Sequence, residues 1–209
     1  GALLGEMGGT SYFHFLAAGF AASATMYAAT FESLFSAFSR MHVQRTWEAI
    51  VNAPMTLDDV LAGEWAWAAT KAFAAGVCIL IIVAAFGYTT PARAIAALPV
   101  IVLTGLAFAA LGLAVNALAS GYDFFSYYMT IVLTPMLMLS GVFFPIEQMP
   151  HAVQIGAKIL PLYHGVAVVR PLLSGDLAPG LWLHLGVLAA YAAGGFYLAT
   201  ILTRRRLLR

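Results

Sequence analysis

The residues in this sequence that could do chemistry are few and far apart. His14 and His184 each fall near one end of an apolar stretch. Two such histidines could hold a haem between their imidazoles, or be ordinary groups at a membrane interface. Glu32 lies late in the first apolar stretch, where a carboxylate serves either structure at headgroup depth or a transport path. His164 and Arg170 occupy a segment punctuated by prolines, and Arg170 must reach water, a lipid phosphate or a backbone carbonyl. Cys78 is the sole cysteine. It excludes an internal disulfide and any cysteine-based zinc site, and it reads as a small buried hydrophobe. No catalytic triad, paired carboxylates or metal-ligand cluster can be assembled, and the phosphate loop G-x-x-x-x-G-K-[ST] is missing. The expectation is a chain that is not an enzyme and carries no metal or cofactor of its own.

The elements that must position these residues are set by composition. Apolar residues make up 62% and charged residues 9% of the 209 positions, against about 45–50% and 25% in soluble domains. The net charge of +1 leaves no basic surface for a nucleic-acid backbone. A span needs about 20 apolar residues to cross ~30 Å of hydrocarbon. Five stretches qualify, at about 14–38, 65–87, 96–119, 124–144 and 181–203. Lipid offers the backbone no hydrogen-bond partners, so each is expected to be helical in an all-α integral membrane protein. The chain reads as a single transmembrane domain over 1–209, and its opening on Gly1 suggests an N-terminal truncation.

Orientation follows from the basic residues. Arg40, Arg45, Arg204, Arg205, Arg206 and Arg209 fall on one side of the five spans, and Arg93, Lys158 and Arg170 on the other. The first group marks the cytoplasmic face. Small residues at Ala17, Ala21, Ala24 and Ala28, and again at Gly186, Ala190 and Gly194, form seams along the first and last spans. Such seams admit close packing, within one subunit or between two.

Two connections are too patterned to be slack. In the cytoplasmic loop 40–63, Val43, Trp47, Ile50 and Val51 form an apolar stripe at helical spacing. The stripe predicts an amphipathic helix ended by Pro54, which either lies on headgroups or docks a partner. Thr56 and Asp59 then predict a capping box for the next span. On the outer side, Ser140, Gly141 and Pro145 break the fourth span, and Pro150, Pro161, Pro171 and Pro179 cut segment 145–179 into pieces. Two pieces are apolar yet too short to cross, which predicts a re-entrant helix pair. That pair is either a fixed plug or a gate.

Three runs carry a likeness beyond these patterns. They are RTWEAIVNAPMTLDDVLAGEWAW from Arg45 to Trp67, LTPMLMLSGVFFPIEQMP from Leu133 to Pro150, and ILPLYHGVAVVRPLLSGD from Ile159 to Asp176. Together they resemble the ABC-2 type permease family, in its nodulation-type branch, with relatives among drug and polysaccharide exporters. The resemblance covers the chain in order. It implies a six-span subunit that forms a homodimer and works with a separate cytoplasmic ABC ATPase, which binds the ATP and magnesium. It also implies that Arg40, Arg45, Trp47, Glu48, Ile50 and Pro54 couple to that ATPase, and that Gly141, Pro145, His164 and Arg170 belong to an outer gate. The expected cargo is amphipathic: a lipo-oligosaccharide, a lipid-linked polysaccharide or a hydrophobic drug, moved outward across a bacterial inner membrane. Ala167 stands where that branch is expected to carry an acidic residue. From the residues alone, a membrane anchor for a redox complex, resting on His14 and His184, and a passive channel stay open.

Overall fold

A computed structural model describes residues 12–47 and 55–207, and these are helical with no strand among them. The helices are α1 (Tyr12–Phe31), α2 (Leu57–Ala85), α3 (Pro91–Leu118), α4 (Tyr122–Tyr128), α5 (Thr134–Leu139), α6 (His151–Ala157), α7 (Pro161–Ser174) and α8 (Leu181–Leu207). Of these, α2, α3 and α8 are each long and apolar enough to cross a membrane. The first expected span is helical from Tyr12, with π-helical turns at Glu32–Ser36 and Ser39–Val43 prolonging α1. The fourth is a helical run in which a π-helical turn at Met129–Leu133 joins α4 to α5. It ends at Ser140 and Gly141, and Gly141 adopts φ +75°, a left-handed conformation that glycine reaches without steric cost.

Small side chains let the helices approach. Ala18, Ala21, Ala22 and Ala29 of α1 are fully buried, with Ala72 of α2 and Ala107, Ala109 and Ala110 of α3. A Cβ on Gly76 would lie 2.5 Å from both Thr25 and Ile101, so no larger residue fits where α1, α2 and α3 meet. Hydroxyls in this interior bond to their own helix: Thr25 donates to the Ala21 carbonyl and Ser33 to that of Ala29, each at 2.8 Å. The π-helical turn after α1 disturbs the backbone ladder, and Asn116 of α3 donates its amide to the Ser33 and Leu34 carbonyls there. The two seams divide. Ala17 and Ala21 are buried inside the chain, whereas Gly186, Ala190 and Gly194 lie on the exposed face of α8. That helix turns Leu188, Ala192, Gly195 and Ala199 inward instead, with Gly195 close against Ala110.

The capping box of α2 forms as expected, Thr56 Oγ1 accepting from the Asp59 N–H and Asp59 Oδ2 from the Thr56 N–H at 2.8 Å. Asp58, in the same first turn, pairs with Arg204 near the end of α8. Arg206 donates to the Asn116 and Ala117 carbonyls at the end of α3. These contacts gather Arg40, Arg204 and Arg206 at one end of the bundle, the basic end. The far end is closed by α6 and α7, whose axes bend by 92° across a short break. Thr89 Oγ1 donates to the Leu173 carbonyl, tying the α2–α3 turn to α7, and Tyr191 of α8 donates to the Ile159 carbonyl in the break.

Candidate functional site

At the basic end the structure assembles a charge network that spacing had left scattered. Glu32, almost fully buried, accepts from Arg40 at 2.9 Å and from Lys71 Nζ at 2.7 Å. Arg40 also forks onto Glu64, Nε to Oε1 at 2.7 Å and Nη2 to Oε2 at 2.5 Å. Trp47 Nε1 donates to Glu64 Oε1 at 3.1 Å, and Thr46 Oγ1 donates to the Arg40 carbonyl at 3.0 Å. Two carboxylates and two cations balance, and a bidentate guanidinium–carboxylate pair is among the stronger charge-assisted contacts. Hydrogen bonding to Glu64, then to Glu32, holds the Arg40 pKa above its ordinary value. Removing Arg40 would strand two buried carboxylates, at a cost of about 3–5 kcal/mol.

Glu64 and Lys71 are members of this network that the sequence reading did not single out. A signal existed: Glu32 and Arg40 lie about two helical turns apart, as do Glu64 and Lys71. Of the stripe expected through Val43, Trp47, Ile50 and Val51, the last two lie outside the described residues, and the first two do not share a face. Val43 is exposed and Trp47 buried, because the chain turns at Gln44 and Arg45, the latter at φ 52°. Arg45 points to solvent, while Glu48, Ile50 and Pro54 lie outside the described residues.

The far end gathers Gly141, His164 and Arg170, with Pro145 in the turn that follows Gly141. His164 Nδ1 lies 2.8 Å from His184 Nδ1, and its Nε2 lies 2.8 Å from the Lys158 carbonyl. The carbonyl fixes a proton on His164 Nε2, so one further proton is shared between the two Nδ1 atoms. Of the two histidines that a haem would have to join, His184 is engaged by His164, and His14 meets Tyr88 edge-on. Among the described residues there is no group of three or more candidate metal ligands.

Arg170 donates from Nη2 to the Gly141 carbonyl at 2.6 Å, and its guanidinium carbon stands 3.6 Å from the centroid of the Phe15 ring. Its Nε is buried without a partner. Beside it opens a cavity of about 270 Å³ lined by residues including Ser140, Glu147, Tyr163, Ala167, Arg170 and His184. Glu147 and the pairing of His164 with His184 were not anticipated, since both arise where α7 folds back against α8 and the turn before α6.

Residues 1–173 match the family described as ABC-2 type transporter. The whole chain is 50% identical to nodulation protein J of Rhizobium leguminosarum bv. trifolii, covering 80% of that protein. It is 49% identical to nodulation protein J of Rhizobium meliloti (strain 1021), over 100% of this chain and 79% of that one. A more distant nodulation protein J, from Azorhizobium caulinodans, is 33% identical over 81% of this chain and 67% of its own.

Proposed function

The chain belongs to the ABC-2 type transporter family, and from that premise we propose that it is the permease subunit of an ATP-driven exporter. The family places it among multi-pass membrane transporters; the finer reading is ours. In it, the basic end faces the cytoplasm, five spans cross a bacterial inner membrane, and a homodimer works with two copies of a separate ATPase that binds ATP and magnesium. The cargo is an amphipathic molecule such as a lipo-oligosaccharide, the class suggested by the nodulation relatives.

The observation that carries the coupling role is the network around Arg40. It bonds the start of the cytoplasmic loop to two spans at once, Glu32 beyond α1 and Glu64 on α2, and Trp47 extends the bonding into the loop. A push on loop 40–63 therefore moves both helices together rather than being absorbed in a slack connection. Beside the network, Met55 and Trp67 are exposed and line a cleft with Asp59 and Gly63, a surface of the kind a partner covers. The segment 145–179 is the outer gate in this reading, with Gly141 as its hinge.

The test is direct. Reconstituted with its ATPase, the permease carrying Glu64→Gln should insert and bind the ATPase yet lose substrate-stimulated ATP hydrolysis. Full stimulation in that variant would remove the network from the coupling path.

A further inference from the structure

We propose that the cavity at the far end binds the headgroup of a phosphoethanolamine lipid, with the phosphate against Arg170 and the primary ammonium against Glu147. The inference rests on the reading of this end as the outer mouth and names the ligand class that enters it.

Arg170 is held from two directions, by the Gly141 carbonyl and by the Phe15 ring, which fixes its guanidinium at the cavity wall. It has no ion-pair partner among the described residues, and its buried Nε donates to nothing. A guanidinium so placed is costly unless an anion completes it. Glu147 lines the same cavity and is likewise in no ion pair among the described residues. Opposite charges that share a cavity without closing on one another leave room for a group bearing both signs. An anionic ligand alone would meet repulsion from Glu147, and a cationic one repulsion from Arg170.

The cavity, about 270 Å³, falls just below the ~300–1,000 Å³ of sites that enclose whole drug-sized ligands. It suits a headgroup whose remainder lies elsewhere. The surroundings say where: Phe144, Ile155, Ile159, Trp182 and Leu183 are exposed around this end. Such a rim suits acyl chains and favours a membrane lipid over a soluble phosphate ester. A primary ammonium donates hydrogen bonds to a carboxylate, which a choline headgroup cannot.

The experiment is lipid retention. Purified protein is reconstituted in nanodiscs of phosphatidylcholine containing equal amounts of phosphatidylethanolamine and phosphatidylglycerol, and the lipids kept on release are counted by native mass spectrometry. Wild-type protein should retain phosphatidylethanolamine over phosphatidylglycerol by about tenfold, the size expected of one hydrogen bond to a charged group. Glu147→Gln, at an exposed position that the fold does not depend on, should bring that ratio close to one. Arg170→Gln should lose retention of both phospholipids, and Arg170→Lys should keep part of it. Equal retention by wild-type protein, or an unchanged ratio in Glu147→Gln, overturns the proposal. Export plays no part in this measurement, so its failure leaves the exporter reading standing. Lost export with intact lipid selectivity would strike only that reading.

Discussion

At the basic end Glu32, Arg40, Glu64 and Lys71 each touch an opposite charge, whereas at the far end Arg170 and Glu147 line one cavity without pairing. The basic end is closed on itself: its bonds run from loop to α1 to α2 and satisfy one another. The far end is held by contacts that are cheaper to release. One hydrogen bond joins His164 to His184, and Arg170 is held by the Phe15 ring and by the carbonyl of Gly141, a glycine in a left-handed conformation at the end of α5. If the proposed reading holds, the asymmetry fits a device driven from one end and opening at the other.

The comparison breaks most easily at Arg40. Arg40→Ala should destabilise the protein by about 3–5 kcal/mol, because Glu32 and Glu64 remain buried with one cation between them. Thermal unfolding in detergent measures this, and a loss under 1 kcal/mol would mean the network is far wetter than its geometry implies.

A smaller effect is expected at the hinge. Gly141→Ala places a Cβ 2.9 Å from the Ile146 side chain and forces a non-glycine residue to φ +75°, at about 1–2 kcal/mol. The far end should respond in function more than in stability, with export reduced while the ATPase still binds. An unimpaired export rate would make Gly141 a fixed bend.

Smaller still is the expected effect of Gly194→Leu on the open face of α8, where nothing lies within 4 Å of an added Cβ. The subunit's own stability should change by under about 0.5 kcal/mol. Cross-linking between two copies should nevertheless fall if this seam is the subunit interface, and undiminished cross-linking would place the interface elsewhere.

The least effect is expected at the exposed pair of Arg204 and Asp58. Its side chains are 55% and 40% accessible, so solvent screens the pair and Asp58→Asn should leave the thermal unfolding midpoint nearly unchanged. A loss as large as that at Arg40 would erase the distinction between buried and surface charge on which the comparison rests.

Much of the architecture was legible beforehand, for reasons local to the chain. Hydropathy marks the long helices because a helix in lipid must bury or expose apolar groups along its whole length. Thr56 and Asp59 announce the start of α2 because a capping box closes within four residues. Ser140, Gly141, Pro150 and Pro161 announce the broken outer segment because they deny the backbone a continuous helix, whereas Pro171, expected to cut it again, lies inside α7. Other local readings yielded to packing. The stripe through Val43 and Trp47 is split by the turn at Arg45.

The sequence by itself determined a helical, membrane-embedded chain, the capped start of α2 and the break after the fourth apolar run. Those properties depend on a residue and its neighbours within a turn or two. Only the tertiary structure decided that Arg40 would grip Glu64 across 24 positions, that His164 would share a proton with His184, and that Arg170 and Glu147 would line one cavity. Each of these requires helices distant in sequence to meet at a particular height and rotation. That meeting is set by how closely Gly76, Gly195 and the buried alanines allow the helix backbones to approach.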